Sequence, residues 1–129
     1  QIRWLAAKID AGAEFVFSQP VFTLDDFKKL RDALADLPVR FFPGVMPLIS
    51  HRSAAALGAG RIPGISVPES VVAGFARYPC AEDQRRFGVN AACDLVRGIA
   101  REARGLYLIM PFGARCYEDT ALILKGIKG

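Results

Sequence analysis

The chain has 129 residues, which is enough for one ordinary domain and too few for two. Apolar residues make up 52% and charged residues 23%, a balance that is typical of a globular protein and excludes a disordered one. The formal net charge is only +4 and the basic residues are interspersed with acidic ones, so no nucleic-acid partner is predicted. No apolar run approaches the roughly 18 residues of a membrane span, and the start has no signal-peptide pattern. We therefore expect a cytoplasmic protein without a membrane partner.

The cysteines do not indicate a disulfide framework or a metal site. Cys80, Cys93 and Cys116 are an odd number without C-x-x-C spacing. We expect reduced, structural thiols and no bound metal.

The first two predicted elements are a helix and a strand. Residues 2–11 carry apolar side chains on one side, and Gly12 follows as a helix stop. The strand at 14–18 is apolar without alternation, which is typical of a strand covered on both faces in a parallel sheet. Because proline cannot donate to a sheet ladder, Pro20 is expected to end the pairing and to leave the Gln19 amide at the carboxyl end of the strand. Ligands bind at that end of the strands in α/β folds.

A second helix and a second strand follow. Thr23 and Asp26 have the spacing of a capping box and predict the start of a helix. Apolar residues recur at helical spacing up to Pro38, which ends the helix. Residues 39–42 predict a strand that terminates at Pro43-Gly44.

The second half of the chain is predicted to be mostly helical, with one further strand. The loop at 58–64 is rich in glycine, but Pro63 stands where a dinucleotide fingerprint needs its third glycine, so a phosphate cradle is not favoured. The helices are predicted at 52–57, 69–78, 81–103 and 117–125, and the strand at 106–110.

This order of elements predicts an α/β protein. Strands separated by helices pair in parallel, since each parallel connection needs a crossover. A (β/α)8 TIM barrel takes roughly 250 residues, and three strands cannot close one. We therefore expect residues 1–129 to form a single unit, the C-terminal part of a (β/α)8 barrel that is incomplete in this chain. The chain begins at Gln1 in what reads as the middle of a helix, so it is expected to be a piece of a longer protein.

Three ordered segments connect this pattern to a known family. They are KIDAGAE at 8–14, the dipeptide Ser18-Gln19 after the strand, and PGVMP at 43–47. Together they resemble the second half of the catalytic barrel of methylenetetrahydrofolate reductases. The segment GLYLIMPFG at 105–113 is closer to the members that are fused behind a homocysteine S-methyltransferase. The resemblance covers nearly the whole chain.

The resemblance implies a reaction and its cofactors. Enzymes of this family use FAD to pass a hydride from NAD(P)H to 5,10-methylenetetrahydrofolate, which gives the 5-methyltetrahydrofolate of one-carbon metabolism and methionine biosynthesis. Lys8 matches the family's lysine beside the FAD, where its charge suits the pyrophosphate. On the residues alone, a lone lysine at a helix end is more often simply solvated.

Three residues are candidates for contact with the folate substrate. Gln19 matches the glutamine that hydrogen-bonds the pterin in this family, and its amide can both donate and accept. A bond to a neighbouring loop carbonyl is the alternative for this side chain. Phe112 is a candidate for stacking on a planar ring, and Arg115 for pairing with the folate carboxylate. Because the extra Ala114 shifts Arg115 by one residue from the family pattern, a packed Phe112 and a solvated Arg115 remain open.

The chain lacks the family's proton-donating glutamate and its aspartate beside the flavin, which lie on earlier strands. No residue takes the role of the general acid by spacing, so no catalytic residue is assigned. We expect activity only together with the missing N-terminal half. The alternatives are a non-catalytic half-barrel binding module that pairs with another chain, and a different barrel enzyme. Since an incomplete barrel exposes strand edges, a homo-oligomer or association with the N-terminal half is expected.

Overall fold

A computed structural model describes residues 2–111 and 113–128 of the chain. Its helices are α1 (Ile2–Asp10), α2 (Leu24–Leu34), α3 (His51–Gly58), α4 (Glu69–Phe75), α5 (Ala81–Ala100) and α6 (Cys116–Lys128). Its strands are β1 (Phe15–Val21), β2 (Arg40–Val45) and β3 (Tyr107–Leu108). None of these described helices combines the length and the apolarity that crossing a membrane requires.

The three strands form one parallel sheet in the order β1-β2-β3. α2 connects β1 to β2, and α3, α4 and α5 lie between β2 and β3, so strands and helices alternate as the sequence predicts. The α/β class is confirmed. A three-stranded parallel sheet with six described helices is consistent with part of a (β/α)8 barrel.

The helices cover one face of the sheet. Val45 of β2 is buried in the larger core cluster with Phe27 of α2, Ile99 of α5 and Ile123 of α6. A smaller cluster around Phe75 joins α3 and α4 to the segment that follows β2. The core therefore lies between the sheet and its helices, as the alternation of strands and helices requires.

The opposite face of the sheet, which we call the aromatic face, carries Phe15, Phe17, Phe42 and Tyr107. Phe15 and Phe17 are 45% and 64% exposed. Phe17 stacks on Phe42 with 5.4 Å between ring centroids and meets Tyr107 edge-on at 5.5 Å. The prediction that β1 is covered on both faces is therefore wrong for this chain. The described helices cover only one side of the sheet, and an apolar run cannot reveal which residues supply the second layer.

β1 and β2 run further than the sequence indicates. Pro20 lies inside β1 and pairs with Gly44, and Val21 pairs with Val45. The prediction that Pro20 ends the pairing is therefore wrong. The register shifts just before Pro20, and a proline is tolerated at such a bulge because the ladder is already interrupted there. β2 likewise continues through Pro43 and Gly44 instead of terminating.

The predicted start of α2 agrees with the structure, and the cysteines are present as free thiols. Thr23 caps α2, since its Oγ1 accepts a hydrogen bond from the Asp26 N–H at 3.1 Å. All three cysteines are free: Cys80 is exposed, whereas Cys93 and Cys116 are half-buried. The thiols therefore act as packing groups or surface groups in this fold.

Candidate active site

The carboxyl end of β1 carries Gln19. Phe17 pairs with Phe42 and Pro20 with Gly44, so β1 uses one more residue than β2 over this interval. The extra residue makes a β-bulge at Ser18-Gln19. Gln19 is left without a Cα partner on β2, and its side chain is exposed at the edge where parallel α/β sheets bind ligands.

A groove of about 650 Å³ lies beside Gln19. Its apolar walls come from α1, β1 and α2, and its polar side chains are Ser18, Gln19, Asp26, Lys29 and Ser66. The groove thus combines an apolar surface with an amide, two hydroxyls, a carboxylate and an ammonium group. Such a combination is typical of sites for small organic ligands.

The Gln19 amide is available to a ligand. Among the described residues it forms no hydrogen bond, so the alternative of a bond to a loop carbonyl is not the one that the structure adopts. The side chain packs beside Gly64, where an added Cβ would lie 3.5 Å from the Gln19 Cγ. Gly64 has a φ of +83°, which favours glycine at this position. The loop therefore restricts the amide by contact and leaves its donor and acceptor unused.

Lys8 occupies a different place. It lies exposed in the last turn of α1 and does not line the groove that holds Gln19. Its carbonyl oxygen accepts from the Ala13 N–H at 3.0 Å, which closes the helix end around Gly12. Its ammonium group forms no ion pair with the described residues, so its charge is free to meet an anion.

Arg115 immediately precedes α6 and does not line the groove that holds Gln19. Its Nη1 is 2.8 Å from Glu82 Oε1, and both side chains are about half exposed. Glu82 also accepts from Arg85, which makes a partly buried bidentate contact with Asp119. The hydrogen bond to Asp119 is the main cause that raises the pKa of Arg85, and this contact joins α5 to α6. A folate carboxylate at Arg115 would compete with Glu82, and Phe112 lies outside the described residues.

A second cavity, of about 210 Å³, lies between the two core clusters. α4, α5 and the residues after β2 line it, and Ser70 is its only polar side chain in the described part of the chain. The described residues also contain no group of three or more histidine, cysteine, aspartate or glutamate side chains that could hold a metal ion. We assign no chemistry to this cavity, since no titratable side chain borders it.

The sequence does not predict the hydrogen bonds that hold the backbone on either side of Gln19. Ser18 accepts a hydrogen bond from the Gly44 N–H, and the Tyr107 hydroxyl donates to the Ser18 carbonyl oxygen. These contacts join three different strands, so no local pattern predicts them. The sequence does contain one signal for this irregular place in the sheet. Each of the two paired strands contains a proline, Pro20 or Pro43, which has no N–H to donate to the ladder.

Comparison with known proteins establishes the family. The family model described as methylenetetrahydrofolate reductase matches residues 1–110. The chain belongs to this family. It is 29% identical over 134 residues to "Methylenetetrahydrofolate reductase 2" of Schizosaccharomyces pombe, an alignment that covers 96% of this chain and 20% of the relative. It is 33% identical over 72 residues to the protein of the same name in Saccharomyces cerevisiae, covering 53% of this chain and 11% of that relative.

The reductase match covers some candidate residues and not others. The chain spans about a fifth or less of the length of these two relatives. Lys8, Gln19 and Tyr107 lie within the segment that matches the methylenetetrahydrofolate reductase family, whereas Phe112 and Arg115 lie beyond its last residue. The family resemblance is therefore confirmed, while the roles of Lys8, Gln19, Phe112 and Arg115 and the fusion to a methyltransferase remain predictions.

Proposed function

We propose that this chain supplies the C-terminal half of a barrel that reduces 5,10-methylenetetrahydrofolate to 5-methyltetrahydrofolate with FAD and NAD(P)H. Two findings support the proposal. The chain belongs to the methylenetetrahydrofolate reductase family. The glutamine that this family places at the substrate, Gln19, stands exposed at the carboxyl end of β1 beside a groove of about 650 Å³.

The free amide of Gln19 is the observation that carries the proposal. A primary amide offers a donor and an acceptor side by side, which matches the alternating donors and acceptors along the edge of a pterin. Such polar complementarity also discriminates, because a ligand that lacks one of these groups would cover the Gln19 amide and leave its donor or acceptor unpaired. In this proposal Gln19 binds and orients the substrate and does not itself transfer a proton.

Lys8 is the residue of this chain that would hold part of the FAD. Its exposed ammonium group, without an ion-pair partner among the described residues, fits the negative charge of a pyrophosphate. One lysine is not a complete site, so the remaining contacts would come from outside residues 1–129. When bound, FAD would supply the ring that accepts a hydride from NAD(P)H and donates it to the folate.

The proton that opens the folate ring has to come from elsewhere in the protein. Opening the five-membered ring requires a general acid within hydrogen-bond reach of the leaving nitrogen. We place this acid in the missing N-terminal half and assign no catalytic residue to this chain. The aromatic face and the free edges of the sheet are the surfaces on which that half, or another copy of the chain, would assemble.

The test uses the complete natural protein that contains this segment. The flavin bands of the purified protein are expected to bleach with NADH or NADPH and to return with methylenetetrahydrofolate. Gln19→Ala is expected to slow the folate-driven return by roughly 5- to 150-fold, which corresponds to about 1–3 kcal/mol for a lost polar contact. Bleaching by NAD(P)H should be unchanged, since it does not involve the pterin.

Asn90→Ala is the matched control, because it removes a carboxamide at an exposed position of α5 that does not line the groove. Its two half-reactions should equal those of the parent. A colourless protein that takes up no added FAD would contradict the reductase proposal. It would favour a non-catalytic half-barrel that binds another chain through the aromatic face, whose Phe17 is 64% exposed.

Two further expectations go with the proposal. The segment at 105–113 resembles the members that are fused behind a homocysteine S-methyltransferase, and the length and sequence of the complete protein would test whether such a domain precedes this one. Cytoplasmic location also remains a prediction, which cell fractionation would test.

A further inference from the structure

The strand ladder around Gln19 is irregular and lacks two backbone donors. Pro20 on β1 and Pro43 on β2 have no backbone N–H, so neither donates between the strands at this level. Ser18 and Gln19 have no Cα partner on β2. Without a replacement for the missing bonds, the backbone that carries the Gln19 amide would be free to shift.

The Ser18 side chain provides the first replacement. Its Oγ accepts a hydrogen bond from the Gly44 N–H at 3.2 Å and donates one to the Gln19 carbonyl oxygen at 2.7 Å. A hydroxyl can do both at once, which an apolar or ammonium group cannot. One side chain therefore ties β2 to the bulge and fixes the peptide group that follows Gln19.

The Tyr107 side chain provides the second replacement. Its hydroxyl donates to the Ser18 carbonyl oxygen and so reaches from β3 across β2 to β1. The contact passes over Gly44, where an added Cβ would lie 2.7 Å from the Tyr107 hydroxyl oxygen. Phe17 meets the Tyr107 ring edge-on at 5.5 Å and holds it in place. The peptide groups on both sides of Gln19 are thus anchored, while its amide is left free.

We propose that Ser18 and Tyr107 are positioning residues that set the direction of the Gln19 amide toward the folate substrate. The inference rests on the proposed reduction of folate and adds two residues to that site. Both hydroxyls bond to backbone atoms, so they act through Gln19 and need no contact with the substrate. Small displacements matter at such a site, because a misplacement of about 1 Å can cost roughly 100-fold in rate.

The first experiment measures the two half-reactions of the complete protein by stopped-flow absorbance of its flavin. Tyr107→Phe keeps the ring and removes the hydroxyl, and we expect it to slow folate-driven reoxidation by roughly 5- to 50-fold. Ser18→Ala should act in the same direction, and Ser18→Thr should restore most of the rate because it keeps the hydroxyl. Tyr117→Phe, at an exposed position of α6, is the matched control for loss of a tyrosine hydroxyl and should leave the rate unchanged.

A double-variant cycle with Gln19→Ala tests whether Tyr107 acts through the Gln19 amide or stabilises the site independently of it. If Tyr107 acts through the Gln19 amide, Tyr107→Phe adds less than about twofold in the Gln19→Ala background. Losses that multiply in the double variant overturn the inference. Thermal midpoints of all variants, measured alongside, identify any loss that comes from unfolding.

Hydrogen exchange supplies a readout that does not depend on turnover. The Gly44 amide donates to Ser18 Oγ, so its exchange should accelerate in Ser18→Ala and remain near the parent rate in Ser18→Thr. A parent protein that folate does not reoxidise overturns the proposed function and this inference together. A parent that folate does reoxidise, with a normal Tyr107→Phe variant, overturns this inference alone.

Discussion

The thiol of Cys93 is set apart from the other two by its surroundings on α5. Burial is the main cause that raises its pKa, with the nearby Asp94 carboxylate acting in the same direction and Arg97 against it. Only the thiolate is an effective nucleophile, so the raised pKa and the limited access both slow alkylation. We expect iodoacetamide at pH 8 to modify the exposed Cys80 at least roughly tenfold faster than Cys93.

Peptide mass spectrometry at a series of reaction times measures this order.

The raised pKa of Cys93 also predicts that the stability of the protein depends on pH. A raised thiol pKa means that the folded state favours the neutral form, so the stability that Cys93 contributes is complete below the ordinary thiol pKa near 8.5 and declines above it. The free-energy advantage of the parent over Cys93→Ala should therefore shrink as the pH rises above that value. Equal labelling rates for Cys80 and Cys93 would contradict the description of Cys93 as half-buried.

Residue-scale contacts of the candidate site follow from the sequence only in part. Gln19 is identified by the family resemblance and by its place after an apolar strand. Its supports are not, because the Tyr107–Ser18 contact joins positions 89 residues apart and depends on the order of the strands. The ion pair between Arg115 and Glu82 is likewise not predicted, because the two residues are 33 positions apart and come together only through the packing of the fold.

At the scale of elements, the two glycines of α5 have different reasons to be glycine. Propensity alone predicts that replacing either by alanine stabilises a helix by roughly 1 kcal/mol. A Cβ at Gly88, however, would overlap the backbone carbonyl of Leu48 in the segment after β2, and a backbone atom cannot rotate away. We therefore expect Gly88→Ala to lower the free energy of unfolding by about 1–3 kcal/mol, measured by denaturant titration.

Gly98→Ala is the control on the same helix. A Cβ there would meet the Leu24 Cδ2 at 2.5 Å, but this atom is the end of a flexible side chain that is 36% exposed and can turn toward solvent. The substitution should be neutral or stabilise the protein by up to about 1 kcal/mol. Similar losses for both variants would show that the close approach of α5 to Leu48 is not what fixes Gly88.

Elements are predicted well where the signal is local and poorly where it depends on a neighbour. The predicted cap of α2 is confirmed, because Thr23 and Asp26 lie close together in the sequence and are hydrogen-bonded in the fold. The predicted end of β1 is wrong, because Pro20 removes a donor but the bulge before it lets pairing resume at Gly44. Whether a proline stops a strand depends on the partner strand, which a local pattern does not contain.

At the scale of the whole molecule, the open aromatic face dominates the behaviour of residues 1–129. The helices bury one side of the sheet, whereas the rings of Phe15 and Phe17 remain 45% and 64% exposed on the other. Within the residues that the structure describes, β1 and β3 are the outer strands of the sheet, and each has a neighbouring strand on one side only. Partner chains bind to exposed aromatic rings and pair with open strand edges. The surface that would complete a barrel therefore also promotes self-association.

We therefore expect residues 1–129, produced alone, to form dimers or larger assemblies that light scattering detects at micromolar concentration. Each buried aromatic ring is worth roughly 1.5–3 kcal/mol, so the double variant Phe15→Ser, Phe17→Ser should shift the population strongly toward monomer. Trp4→Ser is the matched control, because Trp4 is an even more exposed ring, at 74%, on α1 and not on the sheet. If Trp4→Ser disperses the assemblies as well as the double variant does, exposed rings in general and not the aromatic face cause the association. A parent chain that is monomeric throughout would contradict the expectation that the open sheet needs a partner.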